Sequence, residues 1–142
     1  MSEMLGNQYF INGVYEKAIE VYEEVLKNDP QNSDVLLHCI LAELKLGLLE
    51  KAFVHYLRLI KLCPSQNVLE NVYLKPVCLQ VQSEESLFEE ETDRRLARAI
   101  LDGLCGHRDR AEEIFHSLKD EFAHSQKIQE LLNEMEGKPN HV

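Results

Sequence analysis

Apolar residues recur along most of the chain at spacings of three and four, which is the period of one face of an α-helix. Six Gly and four Pro are distributed over 142 residues, and so few interruptions disfavour a fold of many short strands. The pattern therefore predicts a chain that is helical almost throughout. The predicted helices cover 2–11, 15–28, 33–46, 49–62, 66–79 (or two shorter pieces, because Pro76 lies inside it), 83–105, 108–124 and a closing segment at 125–136.

An internal repeat with an offset of 34 residues is the clearest feature of the sequence. The repeated residues are Gly13, Tyr15, Ala18, Tyr22 and Pro30, followed by Gly47, Leu49, Ala52, Tyr56 and Pro64. The glycine suits the positive φ that often closes a helix, and the proline ends the second helix of each unit. The small alanine lets two helices approach closely, and the tyrosine one turn later fills the space beside that contact.

A third and weaker copy lies near the end of the chain. Gly106, Ala111, Phe115 and Leu118 keep the spacing of the first copy, but no proline follows them. The copy starts 59 residues after Gly47, so about 25 additional residues lie around 66–91. We therefore predict two regular repeats, an inserted helix and one degenerate repeat.

These repeated residues resemble the tetratricopeptide repeat, and the resemblance covers residues 2–64. It rests on Gly6, Asn7, Gly13, Val14, Tyr15, Ala18, Tyr22 and Pro30. The second copy departs from the family pattern at Ile40 and Glu43, where the family prefers a small residue and an aromatic one. The resemblance implies an all-α fold, a right-handed α-α superhelix of antiparallel helix pairs whose first helices line a concave surface.

The expected organisation is a single domain over residues 1–136. It comprises repeat 1 (about 1–32), repeat 2 (33–66), an inserted helix (about 67–82), a degenerate repeat 3 (about 83–124) and a C-terminal capping helix (125–136), followed by a frayed tail at 137–142. Ser33 and Ser83 are the predicted N-caps of the helices that they begin, because a hydroxyl accepts from free N–H groups there. Whether the chain is complete or part of a longer array is left open.

Charge and cysteine content narrow the class of partner. The formal net charge is −10, which repels phosphate backbones, so nucleic acid is not an expected partner. No stretch approaches the roughly 20 apolar residues that span a bilayer, so no membrane association is expected. The four cysteines are widely separated, and we interpret them as reduced thiols in a cytoplasmic protein.

The sequence offers no catalytic or metal-binding motif that stands above the background. Glu112, His116, Asp120 and His124 form a stripe at steps of four, which we interpret as a solvated helix face. Cys105 and His107 lack a third group that would orient them as a nucleophilic pair. We therefore expect no enzyme activity, no catalytic residue, no cofactor and no bound metal.

The resemblance places seven residues on the concave surface: Asn7, Phe10, Leu37, His38, Leu41, Leu44 and Lys45. Such a lining is unusually apolar, so an amphipathic helix or an extended apolar peptide would fit it. Some family members use a clamp for a terminal carboxylate, and Asn7 matches one of its asparagines. Glu3 and His38 stand where that clamp needs a cation and a second asparagine, so the sequence excludes the clamp.

The favoured function is a non-catalytic protein–protein interaction module, an adaptor, scaffold or chaperone-like protein that holds a peptide or amphipathic helix in an apolar concave groove. Two alternatives stay open. The lining could be core, or covered by the segment 66–79. The chain could also be a self-assembling structural module, a homo-oligomer whose groove or end face is filled by another copy.

Overall fold

The structure of this protein is a computed structural model that describes residues 2–64, 67–84 and 88–121, together with residues 126, 129, 130 and 133. The helices within these ranges are α1 (Glu3–Ile11), α2 (Tyr15–Asn28), α3 (Ser33–Leu46), α4 (Leu49–Leu62), α5 (Lys75–Glu84), α6 (Glu91–Leu104) and α7 (Arg108–Glu121), with a 3-10 turn at Val68–Glu70. The bounds of α2, α3 and α4 confirm the prediction. The predicted capping helix and tail lie largely outside the described residues.

Neighbouring helices pack in the order expected of a helical repeat. α1 packs on α2, α3 on α4 and α6 on α7, while α2 also packs on α3. The pairs therefore stack side by side, and the described part of the chain is an all-α helical repeat solenoid, as predicted. Each of the six paired helices packs on its partner, and α1, α2, α3, α4 and α6 also contact the neighbouring pair.

Three glycines form the corners between the first and second helices of the pairs. Gly13, Gly47 and Gly106 have φ values of 76°, 75° and 87°. This left-handed region is open to glycine but strained for residues with a Cβ. The positive φ expected at Gly13 and Gly47 is confirmed, and Gly106 adopts the same conformation in the degenerate copy.

The N-cap of α3 is Asn32, so the prediction of Ser33 was wrong by one residue. Asn32 Oδ1 accepts a hydrogen bond from the backbone N–H of Val35 at 3.1 Å, and Ser33 is already the first helical residue. Asparagine and serine cap helices about equally well. Asn32 is the cap because its backbone is extended, with φ −78° and ψ 95°, whereas Ser33 is already helical.

The predicted helix over 83–105 was wrong at its start. Ser83 lies in the last turn of α5, where its hydroxyl donates to the carbonyl of Gln80 at 2.7 Å, and α6 begins only at Glu91. Pro76 falls in the first turn of α5, where a missing N–H is harmless, so the helix starts there instead of breaking. The Arg94 side chain donates to the carbonyl of Glu89 at 3.1 Å and holds the turn before α6.

The core contains two tyrosines that lie against glycines. A Cβ added to Gly6 would come within 2.6 Å of the Tyr22 ring, and a Cβ added to Gly103 would overlap the Tyr56 hydroxyl. Both rings are buried, and the Tyr22 hydroxyl donates to Asn7 Oδ1 at 2.7 Å. Glycine is therefore required at both helix positions by the close approach of a large side chain.

The residues inserted between the second and third pairs do not separate those pairs in space. α6 packs directly on α4, while α5 packs against α3. Phe53 of α4 stacks on Phe115 of α7 with ring centroids 4.8 Å apart, so the contact between these pairs is aromatic and buried. The inserted segment therefore lies beside the stacked helix pairs, with its helix α5 against α3.

No helix of the described ranges is both long enough and apolar enough to cross a membrane.

Candidate functional site

Three of the seven predicted groove residues line one open depression, which we call the α1–α5 groove. Its volume is about 790 Å³, and it lies between α1, the start of α3 and the segment that leads into α5. The groove is lined by Glu3, Asn7, Phe10, Ile11, Tyr15, Asp34, His38, Asn71, Tyr73, Leu74, Val77 and Gln80. Asn7, Phe10 and His38 are the predicted residues among them.

The remaining four predicted residues lie elsewhere. Leu44 and Lys45 line a second depression of about 450 Å³ between the end of α3, the end of α5 and the segment before α6. Leu37 and Leu41 line neither depression and are buried in the core, with 4% and 0% of their surface exposed. α5 packs against α3, the helix that carries both leucines.

The polar groups of the α1–α5 groove are held in place by contacts within the chain. Asn7 Oδ1 accepts from the Tyr22 hydroxyl, which fixes the amide. His38 Nδ1 lies 2.7 Å from the carbonyl oxygen of Asp34. Because a carbonyl only accepts, the ring carries its proton on Nδ1, and a neutral His38 offers Nε2 as an acceptor. The ring also makes an edge contact with Phe10 at 5.3 Å between centroids.

Two large apolar side chains of the groove are almost fully exposed. Ile11 at the end of α1 is 81% exposed, and Tyr73 in the segment before α5 is 85% exposed. The acidic residues Glu3 and Asp34 lie in the same lining. The groove therefore combines apolar contact area with negative charge.

Lys45 interacts through its ammonium group with two other side chains of the same chain. Its ammonium lies 3.1 Å from the Glu84 carboxylate, and only 11% of its side chain is exposed. The same group stands 5.9 Å from the centroid of the Tyr15 ring, in a cation–π arrangement. Lys45 therefore ties the end of α3 to the end of α5.

A polar cluster inside the second repeat was missed by the prediction. Glu43 is fully buried, and its two carboxylate oxygens lie 2.8 and 3.0 Å from His55 Nδ1. Burial raises the pKa of Glu43, although the hydrogen bond and charge of His55 act against that rise. Cys39 Sγ lies 3.9 Å from His55 Nδ1. Within the described ranges, these three residues are the one group of Cys, His, Asp or Glu side chains whose ligand atoms lie close enough together to share a metal ion.

Part of this cluster could have been found in the sequence. Cys39 and Glu43 are four residues apart, so they lie on one face of α3, and Glu43 was already a departure from the repeat pattern. His55 was out of reach of that reasoning, because its position depends on how α4 packs against α3. The cluster is therefore a product of tertiary packing.

The other chemical candidates of the sequence, where they are described, lie on α7 and at the corner before it. Glu112 and His116 are exposed on α7, whereas the side chains of Asp120 and His124 lie outside the described part. Cys105 is buried with its Sγ 3.5 Å from Cys78 Sγ, while His107 is exposed. The arrangement gives no support to a Cys105–His107 nucleophile.

Two comparisons with known proteins found a likeness to part of the chain. A family profile described as TPR repeat, the tetratricopeptide repeat, matches residues 6–39. The protein described as BBSome complex member BBS4 from Bos taurus is 38% identical over 52 residues, which is 37% of this chain and 10% of that relative. The match thus spans only a tenth of the relative's length. No solved structure matches the chain.

Tetratricopeptide repeats generally mediate interactions between proteins, and proteins of this family are typically non-catalytic. The profile match begins at Gly6, within α1, and continues into α3. It therefore contains most of the first helix pair, its glycine corner and the start of the next pair. The same corner conformation recurs at Gly47 and Gly106. The chain therefore contains a segment, residues 6–39, that matches the tetratricopeptide repeat.

Proposed function

We propose that this chain is a protein-interaction module that binds an apolar peptide or one amphipathic helix in the α1–α5 groove. The observation that carries the proposal is the exposure of Ile11 and Tyr73 in the lining of a groove of about 790 Å³. One comes from α1 and the other from the segment before α5. A side chain inserted between these elements would cover both, and large exposed apolar groups in a concave surface favour such binding.

The charge around the groove indicates the composition of the partner. Glu3 and Asp34 lie in the lining, and the whole chain has a formal net charge of −10. A partner with Lys or Arg beside its apolar anchors would be attracted and oriented by these carboxylates. The same charge supports the expectation that nucleic acid is not a partner.

The proposal assigns different roles to the predicted groove residues. Asn7, Phe10 and His38 would contact the partner, since they line the groove. Leu44 and Lys45 would form a second contact area, and Leu37 and Leu41 would support α3 from the core. A role as a cytoplasmic adaptor, scaffold or chaperone-like protein belongs to the same proposal, and the unpaired state of the four cysteines suits a reducing compartment.

The test uses exposed residues, so that folding is not at risk. Peptides selected from a random display library against the wild-type chain would be measured by fluorescence anisotropy. Ile11→Glu and Tyr73→Glu are each expected to weaken binding about ten-fold or more, because each places a charge at an apolar contact. The matched controls are Val72→Glu and Leu79→Glu, which change residues that are exposed but outside the groove lining. Equal binding by all four variants would contradict the proposal.

Self-assembly is the second candidate function, and exposed apolar residues of α1 outside the groove favour it. Met4 is 71% exposed and Leu5 is 37% exposed, so α1 offers an apolar face to a second copy of the chain. Sedimentation equilibrium over a wide concentration range should then show a dimer that Met4→Glu dissociates. A monomer at every concentration removes this candidate.

A further inference from the structure

The buried cluster in the second repeat is unlike the rest of the core. Among the described residues, Glu43 is the one polar or charged residue that is buried. A buried carboxylate is unfavourable unless other groups compensate for its lost hydration. Its partners are the imidazole Nδ1 of His55 and the thiol of Cys39. The matching position of the first repeat, 34 residues earlier, holds Tyr9, so the repeat pattern does not call for a carboxylate there.

The three side chains converge from two helices. Cys39 and Glu43 lie one turn apart on α3, and His55 comes from α4, which packs against it. One ligand atom of each residue lies within 4.8 Å of the corresponding atoms of the other two. We propose that Cys39, Glu43 and His55 bind a divalent transition-metal ion of the zinc type.

The spacing of the cluster suits such an ion. Zinc binds sulfur, nitrogen and oxygen at about 2.0–2.3 Å in tetrahedral geometry, which separates the ligand atoms by about 3.3–3.7 Å. Cys39 Sγ and His55 Nδ1 are already 3.9 Å apart. The Glu43 carboxylate and His55 Nδ1 are 2.8 Å apart and would need to separate by about half an ångström. Small side-chain rotations achieve that without any movement of the helices.

The chemistry of the three groups matches the same ion. Thiolate, imidazole and carboxylate are all common zinc ligands, whereas magnesium and calcium prefer oxygen alone. Binding releases the thiol proton of Cys39 to solvent. The proton in the hydrogen bond between His55 Nδ1 and Glu43 also leaves that bond, so that the imidazole keeps a proton on Nε2 and binds the ion through Nδ1. The Cys39 thiolate and the Glu43 carboxylate then balance the two positive charges of the ion. The ion therefore supplies the compensation that a buried carboxylate requires.

The ion has a path to the cluster from solvent. The His55 side chain is 12% exposed and borders a depression of about 430 Å³ that Glu23 and Glu50 also line. Lys51 lines the same depression and pairs with Glu23 at 3.5 Å, so the two carboxylates outnumber the one ammonium at the entrance. Three protein ligands leave one coordination position, which a water molecule would fill.

The test is a titration of the metal-free, full chain with Co²⁺ in the presence of a reductant that does not bind metals. Tetrahedral Co²⁺ with one thiolate gives intense ligand-field bands in the visible range and a thiolate-to-cobalt charge-transfer band in the near ultraviolet. We expect both bands to saturate at one equivalent per chain and to disappear when Zn²⁺ is added. Absence of these bands in the wild-type chain overturns the proposal.

Single substitutions test which side chains bind the metal ion. Cys39→Ser should abolish the charge-transfer band, and Glu43→Gln should weaken Co²⁺ binding about ten-fold or more while it preserves the shape of the side chain. The matched control is Cys63→Ser, which removes a half-buried thiol outside the cluster and should leave the spectrum unchanged. A charge-transfer band that survives Cys39→Ser, or is lost with Cys63→Ser, overturns the proposed site.

Thermal unfolding of each variant with and without Zn²⁺ separates loss of the site from loss of the fold. Zn²⁺ should raise the Tm of the wild-type chain and of Cys63→Ser, and should raise that of Glu43→Gln by clearly less. If Cys39→Ser does not fold, Glu43→Gln decides the question, because it changes one oxygen to nitrogen. An equal Zn²⁺-dependent rise in the Tm of Glu43→Gln overturns the proposal.

Discussion

The first two repeats have the same backbone pattern but use its key tyrosine differently. Tyr22 lies against Gly6 of its own helix pair and donates to Asn7 beside it. Tyr56, at the matching position 34 residues later, lies against Gly103 of α6, while Ile40 stands where the first repeat has Gly6. The tyrosine that closes one repeat internally therefore joins the next repeat to the pair that follows the insertion.

The helix α3 also makes different kinds of contact on its two sides. On the side of the first pair, the His38 ring lies 5.3 Å from Phe10 and 5.8 Å from Tyr22, so the contact is aromatic. On the side of α4, Glu43 and His55 form a buried polar contact. The spacing of the repeat thus determines where the helices lie, and it leaves the chemistry between them free to differ.

The largest expected effect on stability comes from removing the packing between the second and third helix pairs. Tyr56→Ala removes a fully buried aromatic ring and should lower the free energy of unfolding by about 3–5 kcal/mol. Tyr22→Ala should lower it by a similar amount but at a different place. Hydrogen exchange checks the contrast, since Tyr56→Ala should expose amides of α6 and α7, and Tyr22→Ala those of α1. The same exchange pattern in both variants would contradict the comparison.

A smaller effect is expected when the glycines opposite the two tyrosines are filled. Gly103→Ala and Gly6→Ala should each lower the free energy of unfolding by about 1–3 kcal/mol, because the added methyl group meets a tyrosine in a full core. Urea denaturation measures both. Tyr56→Phe, which removes the hydroxyl nearest to Gly103, should recover part of the loss in the Gly103→Ala background and none of it in the Gly6→Ala background. Recovery in both backgrounds would show that the tyrosines are not specific to their glycines.

The smallest effect concerns the hydrogen bond that only the first repeat makes through its tyrosine to an asparagine. Tyr22→Phe leaves the ring in place and removes the donor to Asn7, so we expect a loss of about 0.5–1.5 kcal/mol in urea denaturation. A double-mutant cycle with Asn7→Ala isolates the energy of this contact. A coupling energy near zero would mean that the hydrogen bond adds nothing to the closure of the first repeat.

Much of the fold was predictable because the repeat supplies its own template. Positions such as Gly13 and Gly47 fix the corners, and so the bounds of α2, α3 and α4 followed from spacing alone. The insertion has no counterpart elsewhere in the chain. The start of α6 was therefore misplaced at Ser83, a residue with the chemistry of a cap that lies in the last turn of another helix.

The candidate site was less predictable than the fold. Family position put Asn7 and His38 in the predicted lining, and both line the α1–α5 groove. It could not show that α5 packs against α3, because the insertion is absent from the repeat pattern. Exposed Tyr73 belongs to that insertion, and this explains why a residue central to the proposed groove was missed. The pairing of Glu43 with His55 was missed for a related reason, since it depends on contact between two helices.

The insertion also bears on the order in which the chain folds. About 28 residues separate the end of α4 at Leu62 from the start of α6 at Glu91, yet α6 packs on α4. The free-energy cost of closing a loop grows only slowly with its length, by about 0.6 kcal/mol for each doubling. The insertion therefore lowers the stability of the folded chain only slightly. Contacts distant in sequence nevertheless form more slowly than local ones. We therefore expect the first two helix pairs to form early and the third to join them in a later kinetic step.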